Sequence, residues 1–503
     1  MGLKSFLAKP VAKILSNQIS KWKDNPLPHQ DKIFNELIQV GRETAFGKDH
    51  GFDNIKTHAD FVKAVPIRDY EGLRPYIDRV TKGEKNVLWR GLPKYYAKTS
   101  GTTSGIKYIP VSEEGMKTFI SGGRAALSSY IVETGKTKWV DGGMIFIQGS
   151  PELQKKGAIN AGRMSGITYH HIPSYLRSNL APTYETNIIE DWEQKLDKIC
   201  EETLKRDMSV IGGIPPWVLM YFERLFEITG KSTMIDIFPN FAIYMFGGVN
   251  FVPYKARFKK AIGKDIAYID TYSASEGFIA FQDTQTEEGM LLNVNGGYFF
   301  EFVPADEIFN ENPTRLTLKD VQKDVNYAII LNTNNGLWGY LIGDTIRFTS
   351  LDPYRVVVTG RTKHFISAFG EHVIGEEVDE AMKIVAEEEG VNAIEFTVAP
   401  QVNPKEGELA YHEWFVEFDR SPKDLKAFAA KMDKILCEKN IYYFDLIEGN
   451  MLQPLVIREV PKDGFRTYMK SKGKLGGQNK MPRLANTRQY ADELISVLNL
   501  EID

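Results

Sequence analysis

Residues 98–110 read KTSGTTSGIKYIP, and this stretch narrows the available folds further than any other. Thr99-Ser100-Gly101 and Thr102-Thr103-Ser104-Gly105 pack small hydroxyls around glycines, and Lys107 stands two places on. Gly has no side chain and accepts positive φ, so such a loop can turn sharply and bring its backbone close to an anion. Successive N–H groups, hydroxyls and one cation then make a concavity for phosphate oxygens. Tyr108-Ile109-Pro110 predicts a short strand. Ser112 to Thr134 predicts a long helix, with Ser112 as cap and Glu113 and Glu114 in the first turn. Strand, Gly-rich loop and helix in this order suit anion binding, because helix N-termini favour negative charge. The loop is not a Walker loop, which needs G-x-x-x-x-G-K-[ST]; here Lys107 follows Ile106 and precedes Tyr108. Taken alone, the cluster reads equally as a polar linker.

The rest of the chain fits this setting. Short apolar segments at 143–148, 209–213, 242–246 and 265–271 alternate with helical segments at 186–206, 216–230 and 254–262, which predicts an α/β architecture with mixed sheets. Upstream, 29–48 reads as a helix, and 60–65 and 69–79 as short elements broken by Pro66 and Pro75. Residues 290–350 are strand-rich and predict a small barrel or distorted β-domain. Beyond a turn at Gly360-Arg361-Thr362-Lys363, strand 364–368, helix 375–389, strands 392–399 and 408–418 and helix 422–438 predict a separate α+β unit. The expected division is 1–358 and 359–503.

Composition enters by exclusion. A net charge of -4 over 503 residues gives no global basic excess, so nucleic acid is not an expected partner. Cys200 and Cys437 have no CxxC neighbour, which points to a reducing, cytoplasmic setting without a disulfide framework or zinc site. No apolar run reaches the roughly 18 residues of a membrane span. The N-terminal stretch interleaves Lys4, Lys9, Lys13, Lys21 and Lys23 with Phe6, Leu7, Val11, Ile14 and Leu15, interrupted by Pro10. It lacks a signal-peptide h-region and is expected to be an amphipathic helix packed on the first domain, with a membrane-surface helix as the alternative.

Four further clusters bear on chemistry. In DTYSASEG (270–277), Tyr272 offers a face to a purine, Ser275 a hydroxyl to a phosphate, and Glu276 a carboxylate to Mg²⁺; the alternative is a plain turn. In LIGDTIR (341–347), Asp344 after Gly343 can accept both hydroxyls of a ribose, or simply make a Gly-Asp turn. Arg361, at the expected domain boundary, can reach a nucleotide held between domains. Lys480, in GKLGGQNKMPR (473–483), can carry a charge into an active site on a Gly-rich loop, or be an ordinary surface lysine. His170-His171 lacks partners at metal-ligand spacing. The stretch 149–182 reads as irregular, rich in Gly, Ser, Pro, His and Tyr.

Together TSGTTSGIKYIP (99–110), FPNFAIYMFGGVNFVPY (238–254), YSASEG (272–277), LIGDTIRF (341–348) and GGQNKMPRL (476–484) resemble the adenylate-forming enzymes. Among them the chain looks most like the auxin-responsive acyl-acid amido synthetases and their bacterial relatives. The resemblance implies the firefly-luciferase type of fold: a large N-terminal domain of β-barrel and helix-flanked mixed sheets, and a small mobile α+β C-terminal domain. It implies that ATP and a carboxylic acid give an acyl-adenylate and pyrophosphate, and that an amine, usually an amino acid, then takes the acyl group and releases AMP. By matching motifs, Ser100, Gly101, Thr102, Thr103 and Lys107 would surround the phosphates. Tyr272 would lie against adenine, Ser275 near the α-phosphate, Glu276 on Mg²⁺ and Asp344 on the ribose. Gly248, Arg361 and Lys480 would also reach the nucleotide, and the stretch 149–182, with Tyr169, His170, Tyr175, Leu176 and Arg177, would line the acyl pocket. The hinge sequences GRTK (360–363) and FGEH (369–372) look more like general adenylate-forming enzymes, which keeps a thioester product as the alternative, and a non-catalytic nucleotide-binding protein as a third reading.

Overall fold

The computed structural model describes residues 2–99, 106–172, 177–248, 251, 254–362, 365–371, 373–405, 407–472 and 481–500. Its frame is a mixed sheet of eleven strands. One limb is parallel: Leu180–Ala181, Gly143–Phe146, Met208–Gly212, Ile243–Gly247 and Ala267–Ala274 lie side by side in that order. The other limb is antiparallel and runs from Gly277–Phe281 through Met290–Leu292, Tyr354–Arg361, Tyr340–Leu351 and Asn326–Thr333 to Tyr298–Pro304. The strand-rich stretch expected as a barrel or distorted β-domain is thus a continuation of the central sheet. The two limbs meet at the hairpin between Ala267–Ala274 and Gly277–Phe281.

A second sheet of four strands pairs Lys107–Val111 with Tyr95–Thr99, and Tyr95–Thr99 in parallel with Ile159–Gly162, which Gln154–Lys156 borders. A third, of three strands, joins Ala393–Gln401, Tyr411–Phe418 and Val456–Glu459.

Local chemistry sets the helix ends. Ser112 caps helix Glu113–Thr134 by accepting from Gly115 N at 2.8 Å, and Gly135 closes it at φ 67°. Asp69 caps Tyr70–Thr81 and Asp424 caps Leu425–Lys439 in the same manner. One expectation fails at a proline: Tyr70–Thr81 runs unbroken through Pro75, and the N-terminal stretch, expected as a helix packed on the first domain, is helix Leu3–Lys23 with Pro10 inside it. Both prolines face solvent, the side on which water can satisfy the carbonyl each leaves unpaired. Conversely, the helix expected over 29–48 divides into Pro26–Gly41 and Ala45–Asp49, because Thr44 takes an extended φ,ψ and caps the second piece.

One apolar core fills the space between the four-stranded sheet, helices Leu3–Lys23 and Glu113–Thr134, and the antiparallel limb. Another lies along the parallel limb and helices Trp192–Thr203 and Pro215–Thr229. It continues without interruption into Phe396, Val398, Trp414 and Val416 of the three-stranded sheet. Among the described residues no helix is long and apolar enough to cross a membrane.

Candidate active site

In an open parallel sheet, loops leaving the C-terminal strand ends carry the ligand-facing groups. Gly247 ends one such strand, and a Cβ there would lie 2.2 Å from Thr271 O, so only glycine allows this strand spacing. Gly248 follows at φ 79°, a left-handed turn with open space where a side chain would be. The next strand, Ala267–Ala274, delivers Tyr272 and then the turn Ser275-Glu276.

Asp344 and Arg361 are direct partners across the pair Tyr340–Leu351 and Tyr354–Arg361. Arg361 Nε donates to Asp344 Oδ1 at 2.7 Å, and the Tyr272 hydroxyl donates to Oδ2 at 2.6 Å. Gly343, at φ 94°, bends the strand just before the carboxylate. Both oxygens are thereby oriented, and each retains lone-pair capacity for a further donor. Burial first, then the Asp344 carboxylate, push the Tyr272 phenol well above its ordinary range, so it stays a donor.

Glu276 sits in a two-residue hairpin turn yet is 7% exposed. A turn carboxylate is usually hydrated, and burying one is costly without partners. Here the Tyr340 hydroxyl donates to Oε1 at 3.1 Å. Burial pushes the Glu276 carboxyl up, while Lys107 opposes that rise. Burial correspondingly lowers the Lys107 ammonium, and Glu276 raises it. Lys107 opens strand Lys107–Val111 and stands 5.8 Å from the Tyr70 ring centroid. The helix that follows is fastened to the same place: Ser112 N donates to Asn335 Oδ1 at 2.8 Å, and Asn335 Nδ2 donates to Glu276 O at 3.3 Å. At Gly115 any Cβ would fall 1.9 Å from Asn335 Oδ1, so the helix N-terminus approaches this loop as closely as glycine permits.

The structure therefore gathers Lys107, Tyr272, Glu276, Asp344 and Arg361, with half-buried Ser275 in the same turn as Glu276. Ser100, Gly101, Thr102, Thr103 and Lys480 lie outside the described residues, as do Tyr175 and Leu176. The histidine pair does not converge: His170 Nε2 lies 2.7 Å from Pro151 O, and His171 Nε2 lies 3.1 Å from Tyr95 Oη. Arg177 is turned onto the carbonyl of Ile172. Among the described residues no three His, Cys, Asp or Glu side chains cluster as a metal cage. Glu276 supplies one carboxylate, the number Mg²⁺ can accept when water and phosphate oxygens fill the rest of its shell.

Sequence reasoning missed Tyr340 and Asn335. Tyr340 had a readable signal, since it is an aromatic in the same apolar run as Asp344. Asn335 had none, because its role depends on a contact with Ser112, 223 residues away.

Three family descriptions cover the chain: the GH3 family N-terminal domain over 15–196, the GH3 family central domain over 291–361 and the GH3 family C-terminal domain over 376–489. Indole-3-acetic acid-amido synthetase GH3.4 of Arabidopsis thaliana is 20% identical, over 91% of this chain and 89% of its own. Among solved structures, AtGH3.15 acyl acid amido synthetase in complex with 2,4-DB matches with a TM-score of 0.61 at 16% identity, covering 97% of this chain and 96% of that one. A 2-hydroxyisobutyryl-CoA ligase matches at 0.58 and 14%, covering 95% and 94%. At these identities the structural likeness speaks for the fold.

Proposed function

The chain belongs to the GH3 family, and on that premise we propose that it is an ATP-dependent acyl-acid amido synthetase. A carboxylate oxygen attacks the α-phosphorus of ATP, the bond to the β-phosphate bridge breaks, and pyrophosphate leaves. The amine of an amino acid then attacks the acyl carbon, loses a proton, and AMP departs. The observation that carries this reading is the gathering of Lys107, Tyr272, Glu276, Asp344 and Arg361 beside the C-terminal ends of the parallel strands.

Each group has a task in that scheme. Asp344, oriented from both sides by Tyr272 and Arg361, accepts the ribose hydroxyls. The Tyr272 ring borders the adenine, and Gly248 leaves room for the nucleotide. Lys107, the helix beginning at Glu113, and the loop with Ser100, Gly101, Thr102 and Thr103 meet the phosphates, with Ser275 toward the α-phosphate. Glu276 would hold Mg²⁺, which would neutralise phosphate charge. Lys480 supplies a further cation as charge develops at phosphorus. Most of the rate comes from positioning and cationic stabilisation. The free thiols Cys200 and Cys437 suit the reducing cytoplasm. Residues 1–358 and 359–503 remain our division into an adenylation domain and a small C-terminal domain.

The test is a matrix of carboxylic acids against amines and CoA, read by pyrophosphate release and product mass. Acid-dependent pyrophosphate with an amide product supports the reading. A thioester product would transfer the chain to the ligases of CoA, and no acid-dependent pyrophosphate from folded protein would end the proposal. Glu276→Gln is expected to weaken Mg²⁺-dependent adenylation while leaving the fold intact.

A further inference from the structure

The N-terminal helix Leu3–Lys23 has two apolar faces, and among the described residues only one is packed. Ala12, Ile19 and Trp22 are buried in the core. The helix is fixed there by Gly2 N and Ser5 N donating to the Asp141 carboxylate, and by the Lys23–Asp283 ion pair at 2.8 Å. On the opposite side Phe6 is 70% exposed, Leu7 50%, Val11 53% and Ile14 60%. Spacings of three, four and seven residues put Leu7, Val11 and Ile14 on one stripe. Contiguous exposed apolar residues rimmed by polar ones mark an interaction surface. Exposed Lys4 and Lys13 border the stripe on its two edges, and Lys21 continues it. Residues 1–23 contain no Asp or Glu, in a chain whose net charge is -4.

We propose that this face docks on an anionic lipid surface, with Phe6, Leu7, Val11 and Ile14 entering the headgroup boundary and Lys4, Lys13 and Lys21 meeting lipid phosphates. An apolar stripe with lysines along it is the pattern of a helix lying in the interface plane, and lysine stems reach outward from such a stripe. A second copy is the poorer occupant. A two-fold interface through this face would set the same lysines against one another, with no carboxylate on the helix to answer them. Each lysine near an anionic leaflet is worth about 1 kcal/mol, roughly fivefold in partition, so three together give about a hundredfold preference over a neutral surface.

The experiment is sedimentation of the full chain with phosphatidylcholine vesicles with and without phosphatidylserine. Binding should require phosphatidylserine and weaken as salt rises. Val11→Asp/Ile14→Asp and, separately, Lys4→Glu/Lys13→Glu should each lower partition at least tenfold, with unchanged thermal unfolding and unchanged adenylation in buffer. Absence of binding by the folded chain would overturn the proposal, as would binding that both variants retain. A concentration-dependent dimer abolished by Val11→Asp/Ile14→Asp would overturn it in favour of a self-interface.

Discussion

Replacing Tyr272 by Phe removes one oxygen from the candidate site and keeps the ring. That oxygen donates to Asp344 Oδ2 at 2.6 Å, and Arg361 Nε holds the other carboxylate oxygen at 2.7 Å. A hydrogen bond to a charged group contributes about 1.5–3 kcal/mol. If the carboxylate must be held to receive the ribose, Tyr272→Phe should lower kcat/KM for ATP by roughly 10- to 100-fold. The loss should fall on KM, because the ribose is remote from the reacting phosphorus. Asp344→Asn removes the charged acceptor, so adding Tyr272→Phe to it should cost only about 0.5–1.5 kcal/mol. The pair should therefore couple by about 1 kcal/mol in a double-mutant cycle. Acid-dependent ATP–pyrophosphate exchange isolates the first half-reaction and is the assay. Dideoxy-ATP supplies the control, since wild type and Tyr272→Phe should use it with similar KM. Additive effects, or an equal penalty for Tyr272→Phe with ATP and dideoxy-ATP, would refute the role given to Asp344.

Three other outcomes follow from charges elsewhere. Burial alone would raise the Glu301 carboxyl, but His58 and the Arg315 guanidinium overcome it and hold it at about 2 against an ordinary 4.5. That shift contributes about 3 kcal/mol of stability above pH 4.5, lost as pH falls from 4.5 toward 2. Glu301→Gln should flatten that limb in pH-dependent urea unfolding and cost about 3–5 kcal/mol at pH 7, since Arg315 is left buried and unpaired; an unchanged acid limb would contradict it. Asp270 shows the opposite sign: burial pushes it up to about 6 from 3.8, so the native state binds the extra proton and stability declines as pH rises through that window. Asp270→Asn should remove the decline and stabilise the protein at pH 8 by up to about 3 kcal/mol in the same unfolding assay. Lastly, Asp445 of helix Ile441–Glu448 pairs with Arg163, whose guanidinium lies 5.1 Å from the Tyr442 ring centroid. Asp445→Ala should cost about 1 kcal/mol at the denaturant midpoint, and Arg163→Asp/Asp445→Arg should recover part of what the single reversals lose.

What the sequence carried, and where it stopped, depends on how far each signal reaches along the chain. The capped helix Glu113–Thr134 and the alternation of apolar strands with helices are local patterns, and they were legible to within a few residues, except that the helix expected over 186–206 divides into Tyr184–Asn187 and Trp192–Thr203, the second capped by Asp191. Glu276 stood out at the end of an apolar run beside glycine and an aromatic; Asp344 stood out for the same neighbours, although it lies inside strand Tyr340–Leu351 and not at a strand end. Partnership was not legible. Asp344 and Arg361 are opposed only because Tyr340–Leu351 and Tyr354–Arg361 pair in one register, with bulges that shift it twice. Tyr272 reaches Asp344 across 72 residues of chain. Nor did the strand content of 290–350 reveal that these strands extend the central sheet, since edge pairing is chosen by distant strands.

The same distinction explains why the nucleotide residues are easier to read than the acyl residues. A nucleotide presents phosphates, a diol and a flat base, and each demands a particular residue type, so spacing becomes informative. A carboxylic acid of unstated shape asks only for a cavity wall, which any apolar or aromatic side chain can supply. Tyr169 illustrates this. It lies 6.1 Å from His170 and 5.9 Å from Tyr184, ring centroid to ring centroid, an arrangement equally suited to scaffold and to substrate wall. The Asp344 set is more constrained: a carboxylate already held by Tyr272 and Arg361 keeps lone pairs for further donors, which suits the diol we propose for it. Chemistry that constrains residue identity is visible in one sequence; chemistry that constrains only shape becomes visible when the substrate is varied, which is why acid specificity is addressed by the substrate matrix and nucleotide recognition by Tyr272→Phe.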